Sequence, residues 1–404
     1  MLRKLKNLYH FFQALIAAVI FNFPSKNLVV IGVTGTDGKT TTVHMIYEIL
    51  KTAGLKVSMI SSVYAVIGPR QYDTGFHVTT PNAWHVQKYL RRALDGGSKY
   101  FVLETTSHGL DQNRLAFVNF NTAVITNITH EHMDYHKNWQ KYASAKAKLF
   151  KSVKTSILNG DDQSFNFLKH KVSGKILTYS TKTEEDFNPK NFPLKLKIPG
   201  EYNLANALAA AAAAKNLGVT KQKILRALNN FTGVIGRMEN IDLGQNFKVF
   251  IDFAHTPNGL EQSLKTLRSQ LGSDSSKLIA VFGAASQRDK SKRPIMGKVA
   301  DQNSDVIIIT AEDPRKEKTE KIAEEIAKGI KGKKLNEGYF VVPSRAGAIE
   351  FAINLARDGD TVGIFGKGHE KSMAHGKKEY PWDEFKVTKD AIKKRIAGKK
   401  NENR

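Results

Sequence analysis

The sequence predicts an α/β fold of two parallel-sheet domains preceded by an apolar helix. Three observations predict it. Short apolar runs alternate with helical patterns along most of the chain, as strands joined by crossover helices require. The runs end on polar or glycine-containing turns, GTDGKT, ETTSHG, NITHEHMD, NGDD, GAASQRDK, AEDPR and GKGHE, and open parallel sheets bind ligands at such strand ends. The length, 404 residues, accommodates two or three domains at roughly 150 residues each. With 41% hydrophobic and 25% charged residues the chain can bury several cores, which excludes a peptide hormone, a fibrous chain and a disordered one.

The elements follow in order. Residues 1–27 begin with a basic start and an apolar stretch from Phe11 to Phe23, interrupted by Gln13 and Asn22. Roughly 18 apolar residues would be needed to span a bilayer, and the small-residue cleavage site of a signal peptide is missing, so this segment reads as a retained amphipathic or apolar helix. Strands are predicted at 28–33, 100–103, 123–126, 156–158, 278–282, 306–310, 339–342 and 362–365. An Ala-rich helical pattern over 203–217 and a second helix near 224–228 run into FTGVIGRMEN, after which a new sheet begins. The domains are therefore 1–27 (helix), 28–235 (central), 236–390 (C-terminal, Rossmann-like) and a charged tail, 391–404, that frays.

Cysteine is absent, which removes disulfides, thiolate zinc sites, iron–sulfur clusters and a cysteine nucleophile, and makes the cytoplasm the expected compartment. Lys and Arg outnumber Asp and Glu by 62 to 38, a net charge of +24 that suits nucleic acid, anionic lipid or acidic small molecules. No aromatic stacking platform and no apolar strand ending in Asp-Glu accompanies it, so a nucleic-acid partner is not expected.

Gly32-Val33-Thr34-Gly35-Thr36-Asp37-Gly38-Lys39-Thr40-Thr41 follows an apolar strand and opens a helix with Val43, Ile46, Ile49 and Leu50 at helical spacing. Glycines let backbone N–H groups curl around phosphate oxygens, the helix start adds positive dipole, Lys39 neutralises the β- and γ-phosphates, and the Thr40 hydroxyl can ligate magnesium. The central domain is thus read as a P-loop ATPase domain, although five residues, not four, separate Gly32 from Gly38. Glu104 ends a hydrophobic strand and would share the cleft of this loop if the two strands are neighbours. Its carboxylate is a natural magnesium ligand, and the His-, Glu- and Asp-rich segments ETTSHGLDQNR and TNITHEHMDYH suit magnesium or manganese better than zinc.

The ordered motifs GVTGTDGKTTT, ETTSHGL, TNITHEHMDYH, YASAKAKLF, NLANALAA, GRME, IDFAHTP, RDKSKRP, AEDPR and GKGHE resemble those of the Mur ligases, most closely the UDP-N-acetylmuramoyl-tripeptide synthetase branch, over residues 28 to about 390. The resemblance implies an ATP-dependent amide ligase that adds an amino acid to a muramoyl-peptide acceptor in peptidoglycan synthesis. It implies that Thr79 and Thr80 lie beside the acceptor, that Glu104 and His132 bind magnesium with Thr40, and that Lys146 is carbamylated to an anionic ligand, with two metal sites. His108, Gln112 and Arg114 would hold the acceptor near the transferred phosphate. With Gly35, Thr36, Asp37, Gly38, Lys39 and Thr41 of the loop, Asn206 would meet the adenine, Arg237 the phosphates and Asp252 the ribose, with His255 aligned on the nucleotide. Arg288, Lys290 and Arg293 would add to a basic cleft, in a turn reading GAASQRDK where the family usually has GCGGDRDK.

The mechanism implied is phosphorylation of the acceptor carboxylate by ATP and attack of the amine on the acyl phosphate, with metals and Lys39 offsetting charge repulsion. Glu312-Asp313-Pro314-Arg315 occupies the family's Asp-Asn-Pro-Arg box. An arginine there pairs a distal carboxylate in two parallel hydrogen bonds, so Arg315 favours a diaminopimelate-like amino acid, with Asp313 beside it and Glu370 holding the amino group. Family members of this branch carry an N-terminal uridine-diphosphate domain, whereas here the phosphate loop begins at residue 32. The N-terminal helix in its place has four basic and no acidic residues up to Lys26, and either contacts a membrane or lipid-linked muropeptide peripherally or packs on the central domain. Related ligases acting on folate, a polypeptide or a lipid-linked precursor stay open, although the four-cysteine zinc insertion frequent in the amidating type has no counterpart.

Overall fold

The protein, described here from a computed structural model covering residues 2–73 and 79–402, divides into two compact units. The first comprises residues up to Thr129 and His136–Thr232; the second comprises His130–Tyr135 and Gly233 onward. Of the expected helix and tail, residues 1, 403 and 404 lie outside the described residues.

The first unit holds α1 (Leu2–Ile20), β1 (Val29–Thr34), α2 (Lys39–Thr52), β2 (Val57–Ile60), β3 (Ala65–Ile67), β4 (Arg70–Tyr72), α3 (Ala83–Asp95), β5 (Tyr100–Glu104), α4 (Ser107–Asp111), β6 (Phe120–Ile125), α5 (Met133–His136, whose first three residues fall in the second unit), α6 (Trp139–Ala147), β7 (Thr155–Asn159), α7 (Phe165–Leu168), β8 (Lys175–Tyr179), α8 (Glu201–Asn216) and α9 (Lys221–Asn229). Its eight-stranded sheet runs β4-β3-β2-β5-β1-β6-β7-β8. It is parallel apart from the antiparallel β2-β3-β4 edge. β1 lies between β5 and β6 and is buried along nearly its whole length, which is why VVIGVT is a continuous apolar run and not an alternating one. On α8, Ala207 and Ala209 through Ala214 have no exposed surface, and these short side chains let the helix lie close against α2, where larger ones would overpack.

α1 packs one face on this unit, burying Ala14, Ala17 and Ala18 at helical spacing. Asn7 donates from Nδ2 to the carbonyl of Asp111 at 2.9 Å, and the rings of Phe11 and Phe117 lie 5.1 Å apart.

The second unit adds β9 (Glu239–Asn240), β10 (Lys248–Asp252), α10 (Pro257–Arg268), β11 (Leu278–Phe282), α11 (Lys292–Asn303), β12 (Val306–Ile309), α12 (Thr319–Ala327), β13 (Tyr339–Val341), α13 (Arg345–Leu355), β14 (Thr361–Phe365), the hairpin β15 (Ser372–His375) and β16 (Lys378–Pro381), and α14 (Glu384–Glu402). The main sheet is β13-β12-β11-β14-β10-β9, parallel except for β9. β11 sends Leu278, Ala280 and Phe282 into one core and Ile279 and Val281 into the other, so the sheet is covered on both faces. The expected fraying tail is corrected here: its described residues continue α14, with Ala391 and Ile392 buried in the second of these cores.

Candidate active site

β1 ends at Thr34 and the chain curls through the glycines into α2. Gly38, the residue before that helix, has φ 81°, and a Cβ there would come 2.3 Å from Oδ1 of Asn206. At Gly35 a Cβ would overlap Oγ1 of Thr126 at 1.7 Å. The loop is fastened from behind: Thr36 donates its N–H to the carbonyl of Asn127 at 2.9 Å, Asp37 donates to Oδ1 of Asn127 at 3.0 Å, and Thr126 donates from Oγ1 to the carbonyl of Asp37 at 2.6 Å. Two ammonium groups rest on loop carbonyls, Lys39 on Thr36 at 2.6 Å and Lys146 on Gly35 at 2.5 Å. Lys146 is fully buried on α6, its Nζ 4.4 Å from the ring centre of Tyr142, whose hydroxyl is 3.1 Å from Oγ1 of Thr36. Thr41 is buried one residue beyond Thr40.

β5 is the parallel neighbour of β1, with Val33 opposite Glu104, so the buried Glu104 carboxylate arrives at the loop. Thr40 donates from Oγ1 to Oε1 of Glu104 at 3.2 Å, Ser62 donates its N–H to Oε2 at 2.8 Å, and the Thr40 and Ser62 hydroxyls are 2.9 Å apart. This all-oxygen set suits a hard cation that keeps much of its water and phosphate shell. Among the described residues no cluster of three or more His, Cys, Asp or Glu forms a candidate metal site. Ser62 follows β2, a strand that the apolar pattern does not reveal because Ser58 interrupts it.

The expected acceptor residues meet the same strand end. Thr80 donates from Oγ1 to the carbonyl of Glu104 at 3.2 Å and accepts from the N–H of Thr106 at 2.9 Å, while Arg114 donates from Nη1 to the carbonyl of Thr80 at 2.6 Å. Thr79 adjoins it, half-buried. His108 lies on α4 with its ring 5.6 Å from that of His136, and Gln112 closes that helix by donating its N–H to the carbonyl of His108 at 2.9 Å. Asn206, expected at the adenine, abuts Gly38 in the phosphate loop and accepts from Oγ1 of Thr42 at 3.4 Å.

In the second unit Asp252 ends β10. Its buried carboxylate accepts from the N–H groups of Met238 (2.7 Å) and Ala254 (2.9 Å) and from Oγ of Ser263 (3.1 Å). Burial pushes its pKa up against the pull of Arg237 and these donors. The Arg237 guanidinium lies over the ring of Phe253 at 4.4 Å. Lys292 donates to the carbonyl of His255 at 2.7 Å and to Glu131 at 3.3 Å, and the N–H of Met133 donates to Asp289 at 3.1 Å. His132 therefore belongs to the second unit, with φ 59° and Nδ1 4.0 Å from Glu131.

The Glu-Asp-Pro-Arg turn is tied to β15: Arg315 donates its N–H to the carbonyl of Ala374 at 3.0 Å, and its Nη1 reaches the carbonyl of Ser286 at 2.7 Å. Asp313 accepts from Lys367 and from the N–H of Ala374, each at 3.0 Å, and Lys367 also reaches Glu370 at 2.5 Å. Asp313 and Glu370 thus share one buried ammonium. Glu312 is buried, and that burial raises its pKa from 4.5 to about 7 despite Lys292, Arg345 and Lys367. The expectation of a basic cleft from QRDKSKRP needs correction. Arg293 is entirely buried on Glu317 (3.0 Å) and Glu325 (2.7 Å), and Lys290 pairs with Glu317 at 2.8 Å; Arg288 is exposed beside them.

Residues 33–214 match the Mur ligase middle domain and residues 236–368 the Mur ligase, glutamate ligase domain. The chain belongs to the Mur ligase family. It is 36% identical to the UDP-N-acetylmuramoyl-L-alanyl-D-glutamate–2,6-diaminopimelate ligase of Caldanaerobacter subterraneus subsp. tengcongensis, over 94% of this chain and 81% of the relative. It is 38% identical to the UDP-N-acetylmuramyl-tripeptide synthetase of Borreliella afzelii, over 94% and 80%. A solved diaminopimelate ligase of the first kind superposes with TM-score 0.60 at 30% identity, over 91% of this chain and 79% of that one. Folylpolyglutamate synthase of Mycobacterium tuberculosis, with TM-score 0.71 at 14% identity over 89% and 96%, shares the fold. Mur ligases are ATP-dependent amide ligases, and so is this chain.

Proposed function

We propose that the enzyme joins an amino acid bearing a distal carboxylate, of the diaminopimelate kind, to the terminal carboxylate of a muramoyl-peptide acceptor. The observation that carries this reading is the junction at Glu104. Its side chain takes Thr40 of the phosphate loop while its own carbonyl takes Thr80, which Arg114 holds in turn. A γ-phosphate and an acceptor carboxylate are thereby directed to one strand end, as in-line transfer needs.

An acceptor carboxylate oxygen attacks the γ-phosphorus, the bond to the ADP oxygen breaks, and an acyl phosphate results. The amine then attacks the acyl carbon, loses a proton, and expels phosphate. Lys39 offsets the charge gathered on the phosphates, and Arg114 and His108 orient the acceptor, with Thr79 and Gln112 at its edge. Thr40 and Glu104 would hold magnesium, which would supply further charge neutralisation, and the family resemblance adds Lys146 and His132 as metal ligands. Carbamylation of Lys146 by carbon dioxide would convert a buried cation beside Gly35 into an anionic oxygen ligand. Asn206, Arg237, Asp252 and His255 serve the nucleotide; Arg315 reads the distal carboxylate, with Asp313 and Glu370 around Lys367 as its frame.

The test is phosphate release from ATP with a panel of amino acids, the stem dipeptide being supplied on a uridine-nucleotide or a lipid carrier, with products weighed by mass spectrometry. A product heavier by one diaminopimelate residue is expected. Turnover with none of the muramoyl acceptors, or equal turnover with amino acids lacking a distal carboxylate, overturns the reading.

A further inference from the structure

α1 is apolar on two opposite faces. Ala14, Ala17 and Ala18 face the first unit, while Leu5, Leu8, Phe12, Ile16, Val19 and Ile20, on the other side of the helix, are each between 51% and 58% exposed. From Leu5 to Ile20 this strip is about 22 Å long at 1.5 Å per residue. A surface helix ordinarily turns polar residues outward, and a contiguous apolar strip in water marks an interaction surface.

The charge of this segment and of the chain that follows it favours one occupant for the strip. Residues 1–27 carry four basic and no acidic side chains in a chain of net charge +24. Beyond the strip the chain turns through Pro24–Asn27 into a cavity of about 550 Å³ whose lining includes Lys26, Lys99, Lys154 and Asn119 and no acidic residue. Two copies packed strip to strip would bring like charges together, whereas an anionic bilayer takes apolar side chains into its acyl boundary and lysines among its phosphates. Among the described residues no helix is long and apolar enough to cross a membrane, so α1 would lie along the surface.

We propose that the outer face of α1 seats the protein on the surface of an anionic membrane, with Lys26, Lys99 and Lys154 engaging headgroup phosphates. α1 is bonded to the acceptor segment through Asn7 and Asp111, so seating would carry His108 and Arg114 with it. The inference rests on exposure and charge and stands apart from the choice of amino acid or acceptor.

The experiment is co-sedimentation of the full chain with phosphatidylcholine vesicles, with and without phosphatidylglycerol, at two salt concentrations. Wild type is expected to pellet with the anionic vesicles and to be released by salt. F12E/I16E, on exposed positions and with a circular dichroism spectrum expected to match wild type, is expected to lose partitioning by more than about tenfold. K26E/K99E/K154E is expected to lose the preference for the anionic vesicles. Wild type remaining in the supernatant, or both variants pelleting like wild type, overturns the proposal. So does a lipid-independent dimer that F12E/I16E dissolves, which assigns the strip to a second copy.

Discussion

Replacing Glu312 with glutamine removes one titration from the second unit and should make the protein less sensitive to alkali. Glu312 is 7% exposed, and among the described residues no hydrogen-bond donor reaches its carboxylate. Burial raises its pKa from 4.5 to about 7, Lys292 and Arg345 pulling down and Asp313 pushing up. The folded state therefore holds this proton more tightly than the unfolded chain. The stabilisation from the bound proton is complete below pH 4.5 and is lost as pH rises through 7. At about 1.4 kcal/mol for each tenfold in proton affinity, the displacement amounts to about 3 kcal/mol. Urea unfolding of wild type and Glu312→Gln at pH 5 and pH 8 measures it, other titrating groups cancelling in the comparison. Between those pH values wild type should lose up to about 3 kcal/mol relative to the variant. Parallel pH dependences would refute the argument and mean that the carboxylate is already ionised in the fold.

Three further outcomes test the site. Gly38→Ala should weaken ATP binding at least tenfold and cost about 1–3 kcal/mol of stability, since φ 81° and the approach of Asn206 both disfavour a Cβ; calorimetric titration with unchanged affinity would remove the cradle argument. Arg315→Lys should raise KM for diaminopimelate about 10- to 100-fold with a smaller effect on kcat, because an ammonium cannot reproduce bidentate pairing, and equal effects on lysine and diaminopimelate would contradict it. With carbon-13-labelled bicarbonate, wild type should show a carbamate carbon resonance that Lys146→Ala lacks, and turnover should fall in carbon-dioxide-free buffer; an active alanine variant would exclude the ligand role.

Much of the fold was legible because long apolar runs, buried on both faces, mark the central strands directly: β11 was placed at its observed limits and β1 within a residue. Strands with polar interruptions escaped. β2 contains Ser58, β8 is KILTY with two residues exposed, and β10 has three apolar residues between Lys248 and Asp252. Glycine, lysine and carboxylate positions in the site were readable since their chemistry is local to a motif. Ser62 was not, because a serine acquires its place only when β2 pairs with β5. Charge counting misread Arg293 for a related reason. Its partners Glu317 and Glu325 stand 24 and 32 residues away, so a cation that looks available in sequence is neutralised in the folded core. Likewise HEHMD follows β6, yet Glu131 is drawn to Lys292, 161 residues on, which puts His132 with the second unit.

Those same partners explain how the GAASQRDK turn holds its shape with few glycines. Gln287 sits at φ 56°, a conformation costing about 1 kcal/mol or more for a non-glycine residue. The turn is anchored on Glu317, which accepts from Oγ of Ser286 at 2.8 Å and from the N–H of Gln287 at 3.3 Å. Hydrogen bonds from Arg293, then Lys290 and Ser286, hold the Glu317 carboxyl well below the usual carboxylate range despite partial burial, which favours the ionised anchor. Ser286 also donates its N–H to the carbonyl of Asp313 at 3.0 Å and offers its own carbonyl to Arg315. The link from Arg293 through Glu317 and Ser286 to Arg315 therefore joins a buried charge to the guanidinium proposed to read the amino acid. Backbone freedom that glycines would supply at this turn is replaced by an electrostatic tether, and the orientation of Arg315 follows from charges in the core as much as from its own turn.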